Sequence, residues 1–135
     1  MTLTEEELIA RAIAARETAY APYSNYKVGC ALTTDDGSVF EGANVENASY
    51  GLCVCAERSA IVAAVLAGHR NIASLVVVTQ SSPPAAPCGI CRQTINEFVD
   101  APASLQIILV NVDGERRDIS FQELFPLGFR GEHLT

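Results

Sequence analysis

Two short, mostly apolar runs, residues 75–79 (LVVVT) and 105–110 (LQIILV), do most to limit how this chain can fold. Runs of this length without polar alternation suit strands covered on both faces, as in a parallel sheet. A helical segment lies between them. Their connection is therefore a crossover, expected to be right-handed, with helices on both sheet faces. The flanking sequence fits such a frame. A first helix opens at Thr4, with Glu7 completing a capping box and Leu3 stapled to Leu8; Leu8, Ile9, Ala12 and Ile13 form its apolar stripe. It is expected to run to about Tyr20 and stop before Pro22. Strands at 27–33 and 39–42 flank the turn Asp35-Asp36-Gly37 and read as a hairpin. A small-residue helix over 56–67 ends at Gly68, and a Pro-rich loop, 81–87, delivers Cys88 to a third helix reaching about Val99. Asp113-Gly114 turns into a short strand at 116–119, and a capping box, Ser120 to Glu123, opens a last helix. The fold class is α/β: a three-layer α/β/α sandwich around a mixed five-stranded sheet, one domain over residues 1–135.

Charge and composition exclude several classes of function. Nine Lys and Arg against 16 Asp and Glu leave a net charge of −7, with no cationic surplus to neutralise a nucleic-acid backbone. A hydrophobic fraction of 49% excludes intrinsic disorder and leaves apolar surface for self-association. The longest apolar stretches, such as 61–67 and 107–110, are far too short to span a bilayer. Residues 1–7 (MTLTEEE) are acidic and have no basic region of the kind that opens a secretory signal. A cytoplasmic protein is expected, in which thiols stay reduced. The five cysteines, Cys30, Cys53, Cys55, Cys88 and Cys91, are then candidates for metal binding or catalysis rather than disulfides.

Cys88 and Cys91 form a Cys-x2-Cys pair at a loop-to-helix junction, a zinc half-site. A third thiolate from Cys55 leaves one tetrahedral position for water, the pattern of a catalytic rather than a structural ion. Cys53 competes with Cys55 for that third place. Both helix N-termini favour thiolates there, and Glu57, in the first turn after Cys55, can reach the water without being a ligand.

Cys55-Ala56-Glu57 followed by Pro87-Cys88-Gly89-Ile90-Cys91 resembles the all-cysteine form of the zinc-dependent nucleobase deaminases. Nearly the whole chain is similar to the small, free-nucleoside cytidine deaminases. The segments that carry the likeness are 20–29 (YAPYSNYKVG), 42–48 (GANVENA), 55–58 (CAER), 87–93 (PCGICRQ) and 123–126 (ELFP). The resemblance implies zinc, one per chain, on Cys55, Cys88 and Cys91, with Glu57 as proton shuttle. It implies that Asn44 and Glu46 bind the ribose hydroxyls, that Tyr26 takes the place of a Phe beside the base, and that backbone around Ala56 and Cys88 positions the base edge. Arg58 and Gln93 match residues that hydrogen-bond ligand sulfurs, and Phe129 matches an aromatic that enters a neighbouring subunit's pocket. The implied protein is a homotetramer with shared active sites that deaminates cytidine and 2′-deoxycytidine in pyrimidine salvage.

The same residues have plainer readings. Cys88 and Cys91 could belong to a structural zinc knuckle. Glu57, Asn44, Glu46 and Arg58 could be solvated polar groups, and Tyr26 and Phe129 core aromatics. Cys30, in a strand, is expected in the core, and His69 and His133 lack ligand spacing. Three rival functions stand beside the first. One is a blasticidin-type deaminase, against which the intact Asn44–Ala48 sugar motif counts. The others are a polynucleotide editor, disfavoured by the acidic charge, and a non-catalytic zinc-stabilised binding module, which needs a fourth ligand.

Overall fold

The computed structural model describes residues 3–134; Met1, Thr2 and Thr135, at the ends of the expected domain and of the acidic N-terminal stretch, lie outside the described residues. The elements run α1 (Glu5–Arg16), β1 (Gly29–Thr34), β2 (Val39–Ala43), α2 (Ala56–Leu66), β3 (Ile72–Thr79), α3 (Gly89–Glu97), β4 (Gln106–Asn111), β5 (Arg116–Ser120) and α4 (Phe121–Leu124). The five strands form one sheet in the order β2-β1-β3-β4-β5. Only β3 and β4 are parallel, from Ser74 opposite Gln106 to Thr79 opposite Asn111; the other pairs are antiparallel. These are the two apolar runs, joined through α3.

Alternation along the strands sorts the core into two layers. Ala31, Val76, Val78, Ile108 and Val110 pack with Leu8 and Ala12 of α1 on one face. Cys30, Leu32, Leu75, Val77, Ile107 and Leu109 pack with Ala60, Ile61 and Ala64 of α2, Ile95 of α3 and Phe121 of α4 on the other. Each buried Leu, Ile or Phe contributes about 1.5–3 kcal/mol through removal from water. The α/β/α sandwich is therefore as expected. Among the described residues no helix is long and apolar enough to cross a membrane.

Several boundaries differ from the sequence reading, each for a local reason. Helix α1 ends at Arg16 rather than near Tyr20, because Tyr20 N–H donates instead to Asn44 O at 3.0 Å. Its buried face is Leu8, Ala12 and Ala15, while Ile13 is exposed. Thr4 Oγ1 accepts from Glu7 N–H at 3.1 Å, but the Glu7 carboxylate accepts from the Thr4 hydroxyl at 3.2 Å rather than from the Thr4 backbone. The Ser120 side chain makes no capping hydrogen bond, so the second expected box is not formed. Strand β1 starts at Gly29 rather than Lys27, because the Asn44 side chain accepts from Val28 N–H at 2.8 Å. Helix α3 stops at Glu97, where Phe98 N–H turns to Ile95 O.

One close approach fixes the site. A Cβ on Gly42 of β2 would lie 2.3 Å from Ser59 Oγ, 2.4 Å from Ala56 O and 2.5 Å from Ala60 N, so β2 and the first turns of α2 meet backbone to backbone. Ser59 Oγ seals the contact, accepting from Ala43 N–H and donating to carbonyl oxygens of Ala43 and Ala56, each at 3.1 Å.

Candidate metal centre and active site

Helices α2 and α3 begin at one end of the sheet, and Cys55 and Cys88 are their N-cap residues. Cys91 follows in the first turn of α3 and is fully buried. The Sγ atoms of Cys55, Cys88 and Cys91 all lie within 4.8 Å of one another, with Cys55 and Cys88 3.9 Å apart. A tetrahedral zinc about 2.3 Å from each sulfur holds its sulfurs roughly 3.8 Å apart, so this donor set fits the ion. Cys53 is turned away, its Sγ directed at Asn47 O at 3.7 Å, and it is not part of the cluster. Of the two cysteines that spacing left in competition, Cys55 is the one whose sulfur lies with those of Cys88 and Cys91. Cys30 is buried in the sheet core, where burial first, and then the nearby Glu57 carboxylate, raises its thiol well above the usual range.

Glu57 is only 4% exposed although it carries a carboxyl. Its place in the first turn of α2 favours a negative charge by about 0.3–1 kcal/mol. Burial acts in the opposite sense and wins: with the Cys55 sulfur adding to it, burial pushes the Glu57 carboxyl up to about 7. A carboxyl held there can both take and give a proton near neutrality. A hydrogen bond from the Cys91 thiol, helped by Arg58, lowers Cys55 to about 5, and Cys91, keeping that proton, is raised. Arg58 donates from Nη2 to Cys53 O at 2.9 Å, and its Nε is buried without a hydrogen-bond partner among the described residues. A buried donor beside electron-rich sulfurs suits a thiolate-bound cation.

Cys55, Cys88 and Glu57 open into a cavity of about 350 Å³, which Tyr26, Asn44, Glu46, Ala56 and Cys53 also line, while Cys91 lies buried behind it. Most of the residues singled out from sequence thus meet at one place. Asn44 is committed on both sides of its amide: Oδ1 accepts from Val28 N–H and Nδ2 donates to Tyr26 O, each at 2.8 Å. Glu46 accepts from Tyr23 N–H at 3.0 Å, from Ser24 N–H at 3.1 Å and from the Ser24 hydroxyl, and the last of these does most to hold its carboxyl below the usual range. The Tyr26 hydroxyl pairs with Ser81 Oγ.

One residue stands elsewhere than the sequence reading put it. Gln93, expected on a ligand sulfur, donates from Nε2 to Phe129 O at 3.0 Å, because the segment after α4 folds back over α3 and presents that carbonyl. Phe129, expected to enter a neighbouring subunit's pocket, is 53% exposed and does not line its own chain's cavity. Ser24, Ser81 and Arg92 were missed. Arg92 donates to Pro87 O at 2.7 Å and to Leu124 O at 2.8 Å, fastening the residue before Cys88 to the end of α4. A charge one position after Cys91 was the only signal for it.

The model of the cytidine and deoxycytidylate deaminase zinc-binding region matches residues 3–104. The chain belongs to this deaminase family. A cytidine deaminase of Halalkalibacterium halodurans is 45% identical over 133 residues, covering 98% of this chain and 99% of that relative. The crystal structure of a cytidine deaminase from Burkholderia pseudomallei is similar with a TM-score of 0.88 and 52% identity, over 94% of this chain and 100% of that one. That of Mycobacterium tuberculosis gives a TM-score of 0.79 at 35% identity, over 94% and 98%. The family is zinc-binding, and three cysteines here are positioned to hold one metal ion.

Proposed function

We propose that this chain hydrolytically deaminates cytidine and 2′-deoxycytidine, giving uridine or 2′-deoxyuridine and ammonia. The observation that carries this reading is Glu57: a buried carboxyl, raised to about 7, beside three convergent thiols, two of which line the same cavity. The naming of full-length relatives at 42% and 45% identity supports the substrate. In this reading Cys55, Cys88 and Cys91 hold the ion. Zinc, when bound, supplies the electrophilic character that makes a water nucleophilic near neutral pH. Glu57 takes a proton from the attacking water and delivers it to N3 of the base as C4 gains its oxygen. It then carries the proton of the new C4 hydroxyl to the exocyclic amino group, and the C4–N bond breaks to release ammonia and leave the C4 carbonyl. Ala56 and Cys88 offer backbone polar groups to the base edge, and Tyr26 offers a ring face. Asn44 and Glu46 face the sugar. Their existing hydrogen bonds favour a role as a pre-set frame for the ribose hydroxyls, because groups already oriented lose little freedom on binding. Arg58 draws charge from the sulfurs.

The domain is taken as one unit over 1–135, acting in the cytoplasm in pyrimidine salvage. A homotetramer with shared sites is supported by the exposed apolar residues Val62 and Leu66, one turn apart on α2, and by the exposed Phe129. Gln93 and Asn96 both grip Phe129 O at 3.0 Å, which holds the backbone while the ring projects. The zinc-bound protein should release ammonia from cytidine, with the loss of cytidine absorbance to match. Absence of turnover on both nucleosides, with one zinc per chain, would sink the reading. Mixing Glu57→Gln subunits with Phe129→Ala subunits should restore activity that neither has alone; no recovery in mixed oligomers would refute shared sites.

A further inference from the structure

Asn111, at the carboxyl end of β4, is 1% exposed and lies outside the cavity, yet every polar atom it has is engaged. Its Oδ1 accepts from Asp113 N–H at 3.1 Å and Glu115 N–H at 2.9 Å, shaping the β4–β5 turn. Its Nδ2 donates to Glu115 Oε1 at 2.9 Å and, across the end of β3, to Ser81 O at 3.1 Å. Ser81 in turn meets the Tyr26 hydroxyl, and Ser82 Oγ donates to Glu115. The turn therefore reaches a cavity-lining ring through one buried side chain and one serine. The loop so held, residues 81–87, ends at Cys88 and supplies Ala85 and Ala86 to the cavity wall. Its far end is pinned separately, by Arg92 on Pro87 O.

We propose that Asn111 is a positioning residue for the deamination: through Ser81 it sets where the Tyr26 ring and the Ala85–Ala86 wall stand against the bound base. The inference rests on the cytidine reading above. Because Cys88 is held by α3 and by Arg92, and Ala85 N–H by Thr79 Oγ1 at 3.2 Å, loss of the Asn111 tether loosens Ser81, the Tyr26 ring and the start of the wall rather than the ion. Binding then weakens alike in ground and transition states, which raises KM and spares kcat.

Asn111→Ala should raise KM for cytidine about 5–10-fold, keep kcat within about 2-fold and retain one zinc per chain. Asn111→Asp loses the donor to Ser81 but also sets a carboxylate against that of Glu115, so it is read together with Glu115→Gln, which removes the repulsion; the double variant should still raise KM, and a role confined to the turn leaves its KM at the wild-type value. Hydrogen exchange across residues 79–88 should quicken in both. In a Tyr26→Phe background, where the Ser81 link is already cut, Asn111→Ala should raise KM by less than it does alone. Should the Asn111 variants fail to fold, exposed Glu115→Ala removes the acceptor shared by Asn111 and Ser82. It should raise KM about 3-fold and quicken the same exchange. A lower melting temperature with unchanged KM and exchange overturns the proposal, as does an undiminished KM effect in the Tyr26→Phe background. Wild-type protein without turnover defeats the reading of the reaction, while the exchange measurement still decides the tether.

Discussion

Replacing Gly42 with Ala adds one methyl group at the contact on which the active-site geometry depends. The new Cβ would lie 2.3–2.5 Å from Ser59 Oγ, Ala56 O and Ala60 N. Carbon contacts settle near 3.5–4.0 Å, so the two backbones must part by roughly 1 Å. Turning the Ser59 hydroxyl does not relieve this, because two of the three atoms are main chain. Either β2 or α2 must give. Helix α2 is held flat on the sheet by Ala56 and Ala60, both fully buried, whereas β2 is an edge strand paired only to β1. Strand β2 therefore yields, and Ala43 leaves Ser59, forfeiting hydrogen bonds on both sides of that residue. Overpacking of this kind costs about 1–3 kcal/mol. At this chain length, that corresponds to a fall in melting temperature of about 4–12 °C. Asn44 follows Ala43 directly and holds Val28 N–H and Tyr26 O, so the displacement reaches the cavity. A shift of about 1 Å in positioning groups can cost about 100-fold, here in kcat/KM and mostly through KM. Thermal melts and steady-state kinetics on cytidine measure both effects. Gly131→Ala, where a Cβ meets nothing within 4 Å, is the control and should change neither. A Gly42→Ala protein that melts with the wild type and keeps its kcat/KM would refute the reasoning.

Glu57→Gln keeps the shape of the side chain and removes proton transfer; turnover should fall about 10²–10⁴-fold, with zinc retained by metal analysis, and near-normal turnover would exclude Glu57 as the shuttle. Cys53→Ser should keep one zinc per chain, since Cys53 points at Asn47 O; loss of the metal would return Cys53 to the ligand set. Asp36 caps the β1–β2 turn, and its bonds to the Thr34 hydroxyl and to Ser38 lower its carboxyl to about 2. Its folded value lies below the unfolded value of about 3.9, so the stabilisation is present above about pH 4 and lost as the pH falls through 2. The gap in melting temperature between wild type and Asp36→Ala should close over that window; a gap independent of pH would exclude the linkage.

What the sequence discloses here is whatever short-range chemistry decides. The mostly apolar runs at β3 and β4 announce a covered parallel pair, and Cys88-x2-Cys91 and Cys55-Ala56-Glu57 each announce part of a metal site, because each of these signals lies within a few residues; that the two parts meet across 33 residues is carried by the resemblance. Boundaries were misjudged where a distant partner takes a backbone group: Asn44 ends α1 by claiming Tyr20 N–H and delays β1 by claiming Val28 N–H. Gln93 was misplaced for the same reason, since the Phe129 carbonyl that takes its amide is 36 residues away. The Tyr26–Ser81 pair spans 55 residues, and neither partner signals the other. Cys53 and Cys55 lie two apart, so in an extended segment both can face one side and spacing alone does not separate them; the resemblance favours Cys55, which puts Glu57 two residues on, and the structure has Cys53 Sγ directed at Asn47 O.

The helix starts separate residues that serve the fold from residues that serve the site. Helix α1 begins with Thr4, whose hydroxyl accepts from Glu7 N–H. Helices α2 and α3 begin with Cys55 and Cys88, and neither side chain makes a capping bond. A Ser at such a position contributes about 1 kcal/mol over a residue that cannot cap. Both helices thus forgo stability in the metal-free chain, and the metal returns it, because binding to the folded state alone stabilises that state. The two effects are separable at Cys88, the more exposed thiol. Cys88→Ser supplies a capping oxygen and removes a ligand. Without zinc, the variant should melt about 3–5 °C above wild type, in line with about 1 kcal/mol at this chain length. With zinc in excess the order should reverse, since only the wild type retains all three thiolates. Melts with and without a chelator measure both. A variant less stable than wild type in the metal-free state would show that the thiol already stabilises the helix start, and the claim that these two positions are kept for the metal would fall.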